Sequence, residues 1–247
     1  MRAVILGGNG QIGSLIGDAL EHGGHDVIRA SRRSGVDAVT GEGLVAVLKG
    51  ADVVIDALHI DTIRKSKAVK FFETTSRNIV KAVAEVGVPH LVTVSIYNAA
   101  MPEAQGYGYF AGKAAQERIV KESGLPSTIV LSTQWYELAD TILSKSQLGP
   151  IAIAPHYVGR PASAQAVAEE IAVVAVGSPQ SAGVIIAGPE NRDLHDFVVE
   201  ILKARGSTAK VLGINPPGMG LFKSDFMVPP ADIPGVGPTF EEWLATY

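Results

Sequence analysis

Residues 2–13 read Arg-Ala-Val-Ile-Leu-Gly-Gly-Asn-Gly-Gln-Ile-Gly, and this stretch decides the fold. Ala3 to Leu6 is a short apolar run of the kind that forms a buried strand. The glycines from Gly7 end it. From Gln11 to His22, apolar residues fall at 12, 15, 16, 19 and 20, the spacing of one helix face. A strand, a glycine turn and a helix in that order open a β-α-β unit. Glycine at 7, 10 and 13 meets three demands: a tight turn, close approach of backbone to a phosphate, and close packing of helix on strand. The helix start adds free N–H groups and the positive end of the helix dipole. Gly7, Asn9, Gly10, Gln11, Ile12 and Gly13 are therefore candidates for holding a pyrophosphate.

The pattern continues outward. Strand-like runs at Asp26–Ala30, Asp52–Leu58, His90–Ser95 and Ser127–Ser132 alternate with helical stretches at Leu44–Lys49, Ser66–Val86 and Tyr109–Ser123. The strands are apolar throughout rather than at every second residue. Strands of that kind are covered on both faces. The expected fold is α/β: a Rossmann-type, doubly wound parallel sheet with a smaller C-terminal substrate lobe. Composition shifts near Gly149, and the last stretch from Gly213 is rich in Pro and Gly. The expected division is a core over residues 1–155, joined by parts of 160–190, and a lobe or lid over 156–247. In that lobe Met219, Phe222, Phe226 and Trp243 suggest an apolar pocket or lid, and fit ordinary packing equally well.

Composition removes whole classes of function. The chain has 247 residues, Lys+Arg 21 against Asp+Glu 25, and a formal net charge of -4. Nucleic-acid binding needs a basic face to neutralise phosphates, so no nucleic-acid partner is expected. There is no cysteine, which excludes disulfides, zinc–thiolate sites and a cysteine nucleophile. The six histidines (22, 25, 59, 90, 156 and 195) show no metal-ligand spacing, so no metal is expected. No apolar run approaches the ~18 residues that span a bilayer. The N-terminus reads as a strand rather than a signal peptide. A cytoplasmic protein without a membrane partner is expected.

In dinucleotide-binding units an acidic residue ends the second strand and accepts a bond from the ribose 2′-hydroxyl. Here that strand ends Arg29-Ala30-Ser31-Arg32-Arg33, with no carboxylate. A guanidinium grips a phosphate in bidentate fashion. Ser31, Arg32 and Arg33 thus point to the 2′-phosphate of NADP(H).

A third cluster carries chemistry. Tyr109 and Lys113 stand four apart at a helix start, on one face. A phenol near pKa ~10 is a poor acid or base at neutral pH. An ammonium beside it lowers that value and lets it trade a proton with a carbonyl oxygen. Ser95 ends a strand upstream, where its hydroxyl can steady the same oxygen.

Taken together, these residues resemble the short-chain dehydrogenase/reductase superfamily, in its atypical, NmrA-like NAD(P)H-binding branch. The resemblance rests on Gly7–Gly13, Ser31-Arg32-Arg33, Val92–Ser95, Tyr109-Phe110-x-x-Lys113-Ala114-Ala115-Gln116-Glu117, Thr128–Gln134 and Gly188-Pro189-Glu190. It implies NADPH-dependent reduction of a ketone, aldehyde or quinone, with Ser95, Tyr109 and Lys113 as the catalytic set. Lys113 would also hold ribose hydroxyls. Alternatives are a non-catalytic NADP(H) sensor, and an epimerase or dehydratase using the cofactor transiently. The partner expected is a small carbonyl compound, and the chain a monomer or homodimer.

Three further residues are candidates for the substrate side: His59, at a strand's carboxyl end, and Trp135 and Tyr136. The two aromatics fit core packing equally well. Asp56, inside an apolar strand, is either a hydrogen-bonded structural carboxylate, the preferred reading, or a residue near the cofactor.

Overall fold

Ala3, Val4 and Ile5 are fully buried, as are Val53, Val54 and Ile55, so the strands that carry them have helices on both faces. The computed structural model describes residues 1–215 and 219–246, without the side chains of Met219 and Lys223. In chain order the first half runs β1 (Arg2–Leu6), α1 (Gln11–His22), β2 (Asp26–Ala30), α2 (Leu44–Leu48), β3 (Val53–Asp56), α3 (Lys65–Val86), β4 (Leu91–Ile96), α4 (Gly108–Glu122) and β5 (Ser127–Ser132). Then follow α5 (Leu138–Ser146), β6 (Ile151–Ala154), β7 (Val158–Gly159), α6 (Ala164–Val176), β8 (Val184–Ile186), β9 (Arg192–Asp193), α7 (Leu194–Ala204), β10 (Lys210–Gly213) and α8 (Phe240–Ala245).

The main sheet has six strands in the order β2-β1-β3-β4-β5-β8. The ladders β1–β2, β1–β3 and β3–β4 are parallel. This is the expected Rossmann-type α/β architecture. The chain leaves β1 in one direction to make β2, then crosses back to make β3 on the other flank. Ligands of such sheets bind where the winding reverses, beyond the carboxyl ends of the strands. Here that point lies between β1 and β3, with Leu6 in register with both Ala30 and Asp56.

The chain divides into two compact units: Met1–Leu131 with Ala168–Val184, and Ser132–Val167 with Ile185 onward. In the first, Leu44, Leu48, Val54, Ile79, Val83 and Leu91 belong to one apolar core. In the second, Tyr136 is fully buried among Phe197, Phe240 and Trp243, with ring centroids 5.2–5.7 Å away. Its hydroxyl donates to the Pro238 carbonyl at 3.0 Å. Tyr136→Ala removes a buried ring and strands that carbonyl, and should cost about 3–5 kcal/mol. Chemical denaturation followed by near-UV circular dichroism checks this. Among the described residues, no helix is long and apolar enough to cross a membrane.

Candidate functional site

The glycine turn is built by contacts that leave no room for side chains. Gly7 has φ +82°, a left-handed conformation that favours glycine. Its N–H donates to Ala30 O at 3.1 Å and its carbonyl accepts from Gly10 N at 2.9 Å. A Cβ on Gly13 would press into the Gly7 carbonyl oxygen, and one on Gly8 would lie 2.7 Å from the Arg29 Cα. Helix α1 is thereby drawn hard against the turn. Its N-cap, Gly10, has no side chain to cap the first-turn N–H groups, which remain for an anion.

This turn borders a pocket of ≈ 600 Å³ whose lining includes Gly7, Asn9, Gly10, Ser31, Arg32 and His59. Asn9 Nδ2 donates to Ser31 Oγ at 2.9 Å, which ties the turn to the end of β2. Arg29, one residue before Ala30, is ion-paired with Asp18 and Glu21 on α1. That leaves Arg32 and Arg33, both exposed, as the free cations after β2. Arg32 lines the pocket. A cradle that a Cβ would fill, uncapped amides and a guanidinium fit the phosphates of a nicotinamide dinucleotide.

The second cluster lies along α4. The Tyr109 hydroxyl pairs with His59 Nδ1 at 2.7 Å. Phe72 packs edge-on to the Tyr109 ring, centroids 5.6 Å apart. Lys113 is buried, its Nζ donating to Val94 O at 2.8 Å and Gln116 Oε1 at 2.9 Å. The same Nζ stands 4.4 Å from the Phe72 centroid. Gln116 Nε2 donates to Asp56 Oδ2 at 2.7 Å, and the other Asp56 oxygen accepts from Leu58 N. Ser95 Oγ donates to the buried Glu117 at 2.6 Å.

Burial pushes Lys113 down to about 8, against the opposing pull of Asp56 and Glu117. Tyr109 is held above the ordinary phenol value, first by burial and then by the negative charge of Asp56. The sequence reading expects the Lys113 ammonium to pull Tyr109 downward. The structure differs because burial, and after it the charge of Asp56, push the phenol upward, while the ammonium is bonded to Val94 and Gln116. A phenol pushed upward in this way keeps its proton at neutral pH, and gives it up less readily than an unperturbed one.

A sequence-family profile described as NAD(P)H-binding matches residues 7–172. The chain belongs to this NAD(P)H-binding family. Its Rossmann-type fold is similar to that of a solved short-chain dehydrogenase/reductase superfamily protein. The chain is similar in fold to dTDP-4-dehydrorhamnose reductase from Bacillus anthracis in complex with NADP: TM-score 0.78, 18% identity, covering 98% of this chain and 96% of that one. A nucleoside-diphosphate-sugar epimerase from Staphylococcus aureus gives TM-score 0.73, 14% identity and 99% coverage of both chains. An NAD-dependent NDP-hexosamine 5,6-dehydratase gives TM-score 0.73 and 16% identity, covering 99% and 95%. No curated protein gives a significant match.

Within this NAD(P)H-binding protein the candidates divide. The glycine turn, Ser31, Arg32 and His59 gather at one pocket, and His59 reaches Tyr109. Ser95 donates to Glu117, and Lys113 donates to Val94 and Gln116. Tyr136 is a core residue of the second unit, and Trp135 donates through Nε1 to Ser132 Oγ at 2.9 Å. Phe222 is buried, its ring centroid 4.6 Å from that of Tyr157; the Met219 side chain lies outside the described residues. Sequence reasoning gave Gly8 and Gln116 no role of their own in the site, and did not anticipate the Ser95–Glu117 bond. Gln116 and Glu117 follow Lys113 by three and four, the spacing that places them beside it on the helix, so a signal was there.

Proposed function

We propose that this chain is an NADPH-dependent oxidoreductase that reduces a ketone, aldehyde or quinone carbonyl, with Tyr109 as proton donor. One observation carries the reading: the Tyr109 hydroxyl lies one hydrogen bond from His59, a residue that lines the pocket at the glycine turn. When bound, the dinucleotide supplies the hydride. The chain's own residues do the rest. The first-turn amides of α1 hold the pyrophosphate, with Gly7, Asn9 and Gly10 shaping its bed. Arg32 and Arg33 grip the 2′-phosphate, and Ser31, fixed by Asn9, adds a hydroxyl. Tyr109 gives its proton to the substrate oxygen. Lys113 and Ser95 act through the walls of the site, by holding Val94 and α4 in place.

Titration with NADPH, NADP, NADH and NAD, followed by fluorescence or calorimetry, tests the cofactor. A preference for the phosphorylated forms is expected. The Arg32→Ala, Arg33→Ala double variant should lose about 10- to 100-fold in NADPH affinity, at ~1.5–3 kcal/mol for charged hydrogen bonds, while NADH binding stays unchanged. Equal affinities for NADPH and NADH in the unaltered protein refute the 2′-phosphate assignment.

A second reading draws on a different observation. Ser95 and Lys113 donate to protein groups, as they would in a dinucleotide sensor that performs no chemistry. NADPH binding without turnover across aldehydes, ketones and quinones would favour it.

A further inference from the structure

Each proton that Tyr109 gives away must be replaced before the next cycle. Lys113 is badly placed for that task. It is buried, its Nζ is committed to Val94 and Gln116, and the Phe72 ring covers it. His59 is the opposite case. Its imidazole is exposed, it borders the pocket, and its Nδ1 is 2.7 Å from the phenol oxygen.

The backbone fixes this pairing. His59 lies in the segment between β3 and α3, and that segment packs onto the start of α4. A Cβ on Gly108 would sit 2.6 Å from Ile63 O and 2.8 Å from Lys65 N, so only glycine lets the two approach this closely. Lys65 Nζ donates to Gln105 O at 2.7 Å, a second tie between the same stretches. Among the described residues, Asp56 at the end of β3 acts on Tyr109, Asp61 lines the pocket with His59, and Lys65 and Lys113 stand on α3 and α4. Arg32 and Asp37 line the same pocket.

We propose that His59 is the proton partner of Tyr109, linking the buried phenol to solvent. The proposal rests on Tyr109 as the proton donor. As the phenol O–H bond breaks toward the acceptor oxygen, the His59 Nδ1–H bond breaks and a new O–H bond forms on Tyr109. The imidazole, now neutral with its remaining proton on Nε2, takes a proton back at Nδ1 from a solvent hydronium ion, which leaves as water, and the imidazolium is restored. No electrons change hands in this exchange. An imidazole suits the role because it gains and loses a proton between about pH 5 and 8. His59 acts through Tyr109 and is a positioning residue that also carries protons.

The first test needs no ligand. Nitrogen–proton correlation spectra of the imidazoles are recorded on the full chain as pH is varied, with His59 assigned as the signal missing from His59→Gln. The neutral ring is expected to carry its proton on Nε2, with Nδ1 shifted as a hydrogen-bond acceptor. In Tyr109→Phe that shift and the titration midpoint should both change. Identical spectra in the two proteins overturn the pairing.

The second test follows NADPH oxidation with phenanthrenequinone. His59→Gln should lower kcat by about tenfold or more, abolish the limb of the pH profile that tracks the imidazole midpoint, and leave the NADPH Kd unchanged. His59→Asn can keep a hydrogen bond to Tyr109 but cannot titrate, and should be as slow as His59→Gln. An unchanged rate and profile, or full recovery in His59→Asn, overturns the proton exchange. If the unaltered protein binds no dinucleotide, the oxidoreductase reading falls, and the spectra still judge the pairing.

Discussion

A Tyr109→Phe protein is expected to bind NADPH as tightly as the unaltered chain and to lose turnover by about 10²- to 10⁴-fold, the usual contribution of a positioned proton donor. The substitution removes one oxygen and keeps the ring, so the edge-on contact with Phe72 survives. Folding should change little, because the lost bond runs to an exposed imidazole. The phenol's raised pKa, set by burial and Asp56, fixes the sign of a second effect. In the reducing direction the protonated form is the active one, so activity should show no alkaline loss from Tyr109 itself near neutral pH. Parallel measurement of NADPH affinity and of steady-state rates with a carbonyl panel decides the matter. Unimpaired turnover in Tyr109→Phe would remove the phenol from the chemistry.

Gly13→Ala should have the other large effect, on binding. The added methyl would press into the Gly7 carbonyl oxygen and stand 2.9 Å from both the Gly7 carbonyl carbon and the Gly8 Cα. Neither neighbour can retreat cheaply. Gly7 is pinned by its bonds to Ala30 and Gly10, and Gly8 lies over the backbone of Arg29. The start of α1 must move instead, and the phosphate-facing amides move with it. Overpacking of this kind costs about 1–3 kcal/mol of stability. Loss of two aligned charge-assisted bonds, at ~1.5–3 kcal/mol each, weakens NADPH by about 100-fold or more. Denaturation and NADPH titration on the same preparation separate the two. Retained affinity in a folded Gly13→Ala protein would show that the amides of α1 do not hold the ligand.

Much of this architecture was legible in the residues. Uninterrupted apolar runs such as Val53–Ile55, alternating with helix-spaced stretches, read as strands covered on both faces, and the glycines at 7, 10 and 13 carry their geometric reason with them. Helix spacing placed Tyr109 and Lys113 on one face correctly. What the sequence hid were partners distant along the chain. Glu117 accepts the Ser95 hydroxyl across 22 residues, and Gln116 links Lys113 to Asp56 across 60. The direction of Tyr109's shift depends first on burial and then on Asp56, and both are set by how the strands and α4 pack rather than by anything local in the chain. Asp56 is hydrogen-bonded, as one of its two readings expects. For Trp135 and Tyr136, an aromatic pair after a strand serves a core or a pocket with the same pattern. Only burial and partners separate the cases, and Tyr136 proved to be core.

The unit that holds the glycine turn, Tyr109 and His59 is broken in sequence, since it takes Ala168–Val184 as well as Met1–Leu131. That late segment is bonded into it: Gln180 N donates to Thr128 Oγ1 at 2.8 Å, and His90 Nε2 pairs with the same hydroxyl. A nascent chain therefore cannot complete this unit when β5 leaves the ribosome. More than fifty further residues must emerge first, including α5 and the strands that follow it. Domains generally fold in the order of their synthesis, but here the earlier one waits on the later. A ribosome-bound chain halted soon after Leu131 would expose the flank that Ala168–Val184 normally covers, and would be a natural client for chaperones.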